Sequence, residues 1–537
     1  MGRCPFCMAS TMPEDIICFS CGRVISGASG AAQRSRGDFR RSSTRGASRA
    51  PQRQETAKMA AAQAVGSPSQ RRVTKAQAAL RHSRKSSMKN LMMVGAVSFI
   101  FLFTPAQVQL IEMAIDLKAE GMNMFKQGRE YPVEAEFTYD KVFTVIEDND
   151  PATGGTTGGD VLFKRQMGIP YQRTTNGISP YHFTSAFESE TIQEIKSLTL
   201  ITEGQEIAVP LDGTARSRAM AVITPSGKMI YWPAATDDGT GCKHTQCVMW
   251  EGTVSDGEEA ILTARVNYYS KSWTWWQDST VYSDIEGNSW GINADNSGTF
   301  DNIRERGDGA SWDDFGKHSQ WYYSSERSEY LINGDHPLIQ KTALDIMATL
   351  PESLSDNTYA FARASFDFLV EKITYNDQAE LHPISGPTCI ESGTGDCDEV
   401  SNAFMSLMRV KQIPTWYEFG ILLNTHTMKW EGHAWANVML PLGDEWCESK
   451  EIELNSCYIN GEVDVVNNKW LLHTPTSVTD WIEEADSTGE LIESAYRGWS
   501  FSPSNGGRVS YSSSIETVGQ PEYIGGTYIV SVDPESF

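Results

Sequence analysis

The strongest structural signal in this chain is GTGDCDEVSNAFMSLMRVKQIPTWYEFG, residues 393–420. A glycine-rich turn leads to Cys397, and apolar residues then recur at helical spacing, namely Val400, Phe404, Leu407 and Met408. This pattern predicts an amphipathic helix with Cys397 at its N-terminus. Unpaired backbone amides and the helix dipole stabilise a thiolate there, so we expect a lowered pKa and a nucleophilic Cys397. An ordinary buried or disulfide-bonded cysteine is the alternative.

The flanking sequence supplies partners for a reactive thiol. A helical face precedes it, formed by Ala362, Phe366, Leu369, Val370 and Ile373. After it, GHAWANVMLP predicts an alternating strand that begins at His433, and GEVDVVNNKWLLHTP predicts a second strand that begins at Asp464. A thiol enzyme needs an imidazole to accept the cysteine proton and a carboxylate to hold the tautomer of that imidazole. Cys397, His433 and Asp464 are therefore the predicted catalytic residues.

Residues from about 338 to 490 resemble the transglutaminase-like domain, a branch of the papain-like cysteine enzymes. The resemblance lies in VEKITYND, in the stretch around Cys397 and in GHAWANVMLP. It implies an α+β fold in which Cys397 attacks an amide, His433 acts as base and then acid, and Asp464 orients His433. It also implies a thioester intermediate, a protein or peptide substrate and no catalytic cofactor. Protease, deamidase and crosslinking activities all stay open, and a non-catalytic surface binding or assembly module is the alternative function.

Two departures from the family pattern concern Gln412 and the acid. Gln412 stands where the family usually has glycine before Ile-Pro, and the usual Trp-x-x-x-Asp-Pro-Thr around the acid is absent. Asp444 and Asp480 therefore compete with Asp464 for the third catalytic position. None of the other nearby histidines precedes an Ala-Trp strand, and we expect them in loops or at the surface: His382, His426 and His473.

Charge divides the chain into two parts around an apolar segment. Residues 22–90 carry 16 Lys+Arg and 2 Asp+Glu, net +14, whereas residues 112–537 carry 28 and 65, net −37. Between them, residues 91–111 contain no charge and have the ~20 residues needed to cross a bilayer. A buried core helix is the alternative. The basic residues before the segment predict a cytoplasmic N-terminus, a single membrane span and extracytoplasmic C-terminal domains.

The N-terminal cysteines have the spacing of a zinc site. Two Cys-x2-Cys pairs, CPFC and CFSC, place Cys4, Cys7, Cys18 and Cys21 as four thiolate ligands of one structural zinc ion. The arrangement resembles a short zinc ribbon, and two disulfides are the alternative. The Ser-, Arg- and Gln-rich residues that follow are too polar to fold and predict a disordered basic linker. Its partner is expected to be anionic lipid, because aromatic residues for stacking on nucleic acid are not interleaved along it, Phe39 being the single one.

The region before the helices is predicted to be β-rich. Leu262, Ala264, Val266 and Tyr268 alternate with polar residues, and turn signals separate the short runs. We expect Trp273, Trp275 and Trp276 to pack in a core, with a carbohydrate or peptide groove as the alternative.

Cysteine spacing predicts the disulfides of the C-terminal part. Cys242–Cys247 and Cys447–Cys457 are the expected pairs, which leaves Cys389 and Cys397 either free or joined to each other.

The chain is therefore predicted to be a multidomain protein with six parts. These are a zinc ribbon (1–25), a disordered basic linker (26–89), a transmembrane helix (90–111), a juxtamembrane and β-rich extracytoplasmic domain (112–335), a transglutaminase-like domain (336–490), and a C-terminal loop and strand (491–537).

Overall fold

A computed structural model describes most of the C-terminal part of the chain. The residues described are 2–3, 10–11, 129–147, 160–177, 185–187, 189–234, 247–255, 257–277, 285, 287–306, 319–324, 327–376, 383–424, 428–482, 499–503 and 509–530. Two short strands, β1 (Gly2–Arg3) and β2 (Ser10–Thr11), pair in antiparallel fashion near the N-terminus. The predicted zinc ligands, the basic linker and the apolar segment 90–111 lie outside the described residues. Among the helices that the structure does describe, none is long and apolar enough to cross a bilayer.

The first part of the described chain is almost entirely β-structure. In chain order its strands are β3 (Arg129–Glu147), β4 (Val161–Gly168), β5 (Arg173–Thr174), β6 (Thr191–Thr202), β7 (Gln205–Val209), β8 (Val222–Ile223), β9 (Met229–Tyr231), β10 (Cys247–Val254), β11 (Glu259–Lys271), β12 (Trp273–Trp276), β13 (Gly287–Ile292), β14 (Gln320–Ser324) and β15 (Glu329–Asn333). Two 3-10 turns, Arg218–Met220 and Asn302–Glu305, interrupt them. The β-rich character predicted from the sequence is confirmed.

The second part combines helices with a further sheet. Its helices are α1 (Pro337–Met347), α2 (Thr358–Lys372), α3 (Gly386–Ser392), α4 (Cys397–Val410) and α5 (Asp444–Ser449), with 3-10 turns at Glu352–Leu354 and Leu454–Ser456. Its strands are β16 (Thr374–Tyr375), β17 (Thr394–Gly395), β18 (Thr415–Asn424), β19 (Lys429–Pro441), β20 (Tyr458–Asp464), β21 (Lys469–Trp470), β22 (Leu472–His473) and β23 (Ser477–Ile482). Three more strands follow, β24 (Trp499–Pro503), β25 (Val509–Thr517) and β26 (Glu522–Val530).

The two largest sheets of the β-rich part share one apolar core, which makes them a sandwich. One sheet has the order β25-β3-β11-β6-β5, with β26 also paired to β3 and β7 to β6, and the other has the order β24-β4-β10-β9-β8. Leu262 and Val266 of β11 point into the core and are buried, while the polar residues between them are not, as the alternation predicts. Phe163 and Trp250 of the second sheet complete the same core.

The sheet that carries the predicted catalytic strands is antiparallel, with the order β21-β20-β19-β18-β23. Helix α4 packs on it, and its predicted apolar face is buried at Val400, Phe404, Leu407 and Met408. These side chains share a core with residues of α1, α2 and strand β19. Burial of an apolar face against a sheet is the main source of stability for such a helix. The arrangement is the α+β fold expected for this part of the chain.

Two details of the β-rich part differ from or refine the prediction. The C-terminal residues were expected to contain one closing strand, but β24, β25 and β26 all join the sandwich. The expected strand, β26, does return to the β-rich part, where it pairs with β3. Trp273, Trp275 and Trp276 are buried, and Trp275 and Trp276 pack in the core that contains the helices, so the core role is confirmed.

Candidate active site

Helix α4 begins at Cys397, as predicted. Asp396 is the N-cap residue, and it forms a capping box with Glu399, in which each side chain accepts a hydrogen bond from the backbone N–H of the other residue. Gly395 precedes the cap because a Cβ atom there would lie 2.8 Å from the sulfur of Cys389. The capping box and this close approach hold Cys397 as the first residue of the helix.

The pKa of Cys397 is raised, so the prediction of a lowered pKa is wrong. Burial is the largest cause, and the adjacent carboxylates of Asp398 and Asp396 add to it. A hydrogen bond from the backbone N–H of Ala434 to the sulfur acts in the opposite direction but does not prevail. The helix N-terminus does favour a thiolate, but here two acidic neighbours and burial outweigh it.

Asp396 and Asp398 form a carboxyl pair around the thiol. Burial and a hydrogen bond to Asp398 raise the pKa of Asp396 to about 9. One oxygen from each of the two side chains and the sulfur of Cys397 lie within 4.8 Å of one another. Such atoms could be ligands of a cation, but within the described residues no fourth His, Cys, Asp or Glu joins this group. We interpret the pair as the electrostatic surroundings of the thiol.

His433 lies within strand β19 and contacts Asp464. Its Nε2 atom is 2.9 Å from Oδ2 of Asp464, and both side chains are buried. The hydrogen bonds of β19 to β18 and β20 place Asp464 near His433, because Val463, the residue before Asp464, is the cross-strand neighbour of Ala436. Burial alone would raise the pKa of Asp464, but His433 and Lys469 lower it well below its usual value. Asp464 is therefore ionised beside the imidazole.

Cys397 is connected to this pair through the backbone. The residue after His433, Ala434, donates its N–H to the sulfur of Cys397. Among the described residues no hydrogen bond joins Cys397 directly to His433. The structure thus brings His433 and Asp464 into contact and places Cys397 against the strand that carries His433.

The competing carboxylates have other partners. Asp444 accepts hydrogen bonds from Arg306 and Asn302. Asp480 pairs with Lys141 of strand β3. Of the three candidates, Asp464 is the one that contacts His433.

Comparison with known proteins identifies the part of the chain that surrounds this site. Residues 348–449 match the model of the transglutaminase-like superfamily. The matched segment includes Cys397 and His433 and ends before Asp464. No curated protein sequence matches this chain.

Two solved structures show weak similarity to the chain. One is a provisionally named cysteine protease from Cytophaga hutchinsonii, with 11% identity, a TM-score of 0.35, and coverage of 75% of this chain and 99% of that one. The other is a provisionally named protease from Parabacteroides distasonis, with 9% identity, a TM-score of 0.17, and coverage of 64% and 68%.

The structure corrects the positions of Asp464 and His433 within their strands. Asp464 is the last residue of β20, whereas the sequence predicts that it begins a strand, and His433 lies inside β19 rather than at its start. The apolar run after Asp464 forms a tight turn at Val465–Asn468 before β21 returns. β20 is buried along its whole length, and such a run carries no alternation that marks where the strand ends. β19 begins four residues before His433, because Lys429–Gly432 already pair with β18.

Asn467 and Lys469 also contact Asp464, although the sequence pattern did not predict them as site residues. The side-chain amide of Asn467 donates to Oδ2 of Asp464 at 2.7 Å and lies 3.0 Å from Nε2 of His433. The ammonium group of Lys469 is 3.6 Å from the same carboxylate oxygen. The available signal was the NNK triplet, residues 467–469, since polar residues inside an apolar run require partners when buried.

His473 is buried, so the expectation of a loop or surface position is wrong. Its Nδ1 atom lies 2.7 Å from Glu462, and its Nε2 atom lies 2.9 Å from the hydroxyl of Ser270. Ser270, His473 and Glu462 are all buried, and this Ser-His-Glu arrangement joins β11 of the sandwich to β20 of the sheet that carries His433. His382 and His426 lie outside the described residues.

The cysteine pairing agrees with the prediction where it is described. Cys447 and Cys457 form a disulfide. Cys247 is also disulfide-bonded, and its predicted partner Cys242 lies outside the described residues. Cys389 and Cys397 are both free thiols, and burial raises the pKa of Cys389 to about 12.

Proposed function

We propose that this protein is a thiol enzyme that acts on peptide or glutamine amides through Cys397, His433 and Asp464. The observation that supports it best is the 2.9 Å contact between His433 and an ionised Asp464. His433 lies on β19, and the backbone N–H of the next residue, Ala434, binds the sulfur of Cys397. An ionised carboxylate on one ring nitrogen fixes the tautomer and makes the other nitrogen the base. The match of residues 348–449 to the transglutaminase-like superfamily agrees with this chemistry.

The raised thiol pKa determines how the first step proceeds. Cys397 is a thiol at neutral pH, so His433 takes its proton as the sulfur attacks the amide carbonyl carbon. The carbonyl oxygen becomes an oxyanion, and a suitable donor is the backbone N–H of Cys397, which has no intrahelical acceptor at the first helical position. Collapse of this intermediate breaks the C–N bond and forms a thioester, and the amine leaves with the proton held by His433.

The acceptor of the acyl group decides the product. Water attacks the thioester with His433 as base, which gives an acid and restores the thiol, and this is proteolysis or deamidation. A lysine amine gives a crosslink by the same steps. The three catalytic groups serve every acceptor equally.

Turnover of amide substrates by the full-length protein tests the proposal. Glutamine-containing peptides are incubated with the wild type and with Cys397→Ala, His433→Gln and Asp464→Asn, and ammonia release and cleavage are measured with and without a lysine donor. We expect loss of turnover in Cys397→Ala and His433→Gln, and a thioester that hydroxylamine traps in the wild type and in Cys389→Ala but not in Cys397→Ala. Cys389→Ala is the matched control, because Cys389 is also a free thiol and has no part in the proposed chemistry.

A non-catalytic binding module is the alternative, and the raised pKa of Cys397 favours it. It would replace the enzyme proposal if no peptide is consumed and Cys397 resists alkylation even in the presence of a reductant.

We also propose, from the sequence, that residues 90–111 anchor the protein in a membrane once. The zinc ribbon of Cys4, Cys7, Cys18 and Cys21 and the lipid-binding basic linker would then lie in the cytoplasm, and the C-terminal domains outside. Protease protection in sealed vesicles tests the topology, because only the part after residue 111 should be digested from the extracytoplasmic face. Metal analysis tests the ribbon, with one zinc per chain expected and none after Cys4→Ser and Cys7→Ser.

A further inference from the structure

Asp464 is the last residue of β20 and is followed by a buried polar turn. Oδ1 of Asp464 accepts a hydrogen bond of 3.1 Å from the backbone N–H of Asn467. Oδ2 accepts from His433 and from the side chain of Asn467. Asp464, Asn467 and Lys469 are each at most 3% exposed. The orientation of the carboxylate, and hence of the imidazole, therefore depends on where this turn holds Asn467.

Asn467 acts on His433 through the carboxylate. His433 donates its Nε2 proton to Asp464, so this nitrogen cannot also accept a proton from the amide that lies 3.0 Å away. Turning the amide around would place its oxygen against the carboxylate oxygen 2.7 Å away, which is repulsive. The amide therefore donates to Asp464 and fills the space beside the ring.

A side chain of the sandwich holds this turn in place. The hydroxyl of Tyr131, near the start of β3, donates to the carbonyl oxygen of Asn467 at 3.2 Å. The ammonium group of Lys469 lies 5.6 Å from the centre of the same ring and 2.5 Å from the hydroxyl of Ser477. Tyr131 is 336 residues from Asn467 in the chain and lies outside the segment that matches the transglutaminase-like superfamily.

We propose that Tyr131 is a positioning residue for the catalytic acid and acts through Asn467. The first strand of the sandwich is then a working part of the active site. This inference rests on the proposed thiol chemistry for its effect on turnover. Its effect on the tautomer of His433 can be measured whether or not a substrate is known.

The test compares Tyr131→Phe with Tyr528→Phe in the full-length protein. Tyr528 is a matched control, because it is equally buried, its ring lies 6.1 Å from that of Tyr131, and its hydroxyl binds Ser272 at 2.8 Å. Both variants lose one buried hydroxyl, but only Tyr131→Phe frees the turn. Asn467→Ala removes the amide itself.

Two measurements are made on each variant. The first is kcat and KM on the amide substrate, where we expect Tyr131→Phe to lower kcat about fivefold, the equivalent of one neutral hydrogen bond, with KM unchanged. Asn467→Ala should lower kcat about 10- to 100-fold, and Tyr528→Phe less than twofold. The second is ¹⁵N NMR of labelled histidine, with His433 assigned from His433→Gln. We expect a single Nε2–H tautomer in the wild type and in Tyr528→Phe, and a mixture in Tyr131→Phe and Asn467→Ala.

The two measurements separate failure of this inference from failure of the proposed function. If no variant turns over any substrate but the tautomer changes as expected, the positioning role stands and the proposed function fails. Equal effects of Tyr131→Phe and Tyr528→Phe on the tautomer would overturn the positioning role, whatever the activity. A lower kcat in both tyrosine variants, with matching losses of stability, would likewise show a merely structural role for Tyr131.

Discussion

Asp398 directly follows Cys397, the thiol that we propose as nucleophile. After burial, its carboxylate is the largest cause of the raised pKa of Cys397. A negative charge at this distance opposes the formation of a thiolate, and it also makes attack depend on proton transfer to His433. Asp398 thus lowers the reactivity of the isolated thiol, and Cys397 then reacts when His433 takes its proton.

Replacing Asp398 by Asn should make Cys397 more acidic. Thiolate forms as pH rises, so a lower pKa moves the onset of iodoacetamide alkylation to lower pH and speeds alkylation at pH 8 several-fold. The rate is followed by mass spectrometry of the peptide that contains Cys397. Glu391→Gln is the control, because it removes one exposed acid nearby and should leave the profile unchanged. An unchanged profile in Asp398→Asn would show that the Asp398 carboxylate does not raise the pKa of Cys397.

The backbone conformation of Gln412 accounts for the glycine that the family usually has at this position. Its φ is +58°, in the left-handed region that favours glycine. The N–H of Gln412 bonds to the carbonyl of Arg409, and that of Ile413 to the carbonyl of Met408, which together form a Schellman motif that ends α4. The glycine usual at this position in the family would adopt the same backbone without strain.

Gln412→Gly should therefore stabilise the protein. We expect a gain of about 0.5–1 kcal/mol in the free energy of unfolding, because relief of left-handed strain exceeds the entropy that glycine loses on folding. Chemical denaturation measures it. Lys411→Gly serves as the comparison, since Lys411 has a φ of −108° and glycine should only destabilise there. A loss of stability in Gln412→Gly would show that the glutamine side chain makes compensating contacts.

At the scale of elements, a buried ion pair connects the sandwich to the β21-β20-β19-β18-β23 sheet, called the catalytic sheet below because it carries the proposed residues His433 and Asp464. Arg173 of β5 binds Glu418 of β18 through two contacts of 2.5 and 3.0 Å, and Glu462 of β20 at 2.6 Å. All three side chains are at most 4% exposed. Strands β18 and β20 lie on either side of β19, so the guanidinium crosses the strand that carries His433.

Removing this guanidinium should be strongly destabilising. Arg173→Met leaves two buried carboxylates without their cation, and we expect a loss of about 3–5 kcal/mol, measured by chemical denaturation. Arg265→Met is the control. Arg265 also binds a carboxylate, that of Asp140, but its side chain is 42% exposed, so its replacement should lower the free energy of unfolding by less than ~1 kcal/mol. Adding Glu418→Gln and Glu462→Gln to Arg173→Met should restore part of the stability. Equal losses in both arginine variants would argue against burial as the reason.

At the scale of the whole molecule, the sandwich and the catalytic sheet are built as one packed unit. The tip of the β18–β19 hairpin, at Leu423 and Trp430, packs in the sandwich core beside Tyr139 and Tyr268. Strands β25 and β26 come after Cys397, His433 and Asp464 in the chain and pair with β3 along its length. The C-terminal residues therefore complete the core against which the catalytic hairpin rests.

A chain that ends at residue 490 should consequently fail to fold stably. It retains the whole predicted transglutaminase-like domain but loses β24, β25 and β26, which exposes one edge of β3 and of β4. We expect loss of the cooperative thermal transition and rapid proteolysis. A chain that ends at residue 530 retains every described strand and should melt like the full-length protein. A cooperative transition in the shorter chain, at nearly the same temperature, would show that the catalytic part folds alone.

Local patterns predicted much of this fold and site. Helical spacing located α2 and α4, alternation located β11, and the glycine-rich turn placed Cys397 at the start of α4. Each of these features depends on residues a few positions apart, and such patterns reflect the geometry of a single helix or strand. Strand ends are less well marked, because β20 is buried throughout and the residues before His433 join β19 only through their pairing with β18.

The sequence by itself determined that Cys397 begins a helix, that His433 lies in a strand, and that Asp464 is one of three candidate acids. The tertiary structure decided that Asp464 contacts His433 while Asp444 and Asp480 bind cations elsewhere. It also reversed the expected direction of the thiol pKa and brought Tyr131 to the catalytic turn. The physical reason is that burial and charge act through space, so they depend on which distant residues the fold brings together.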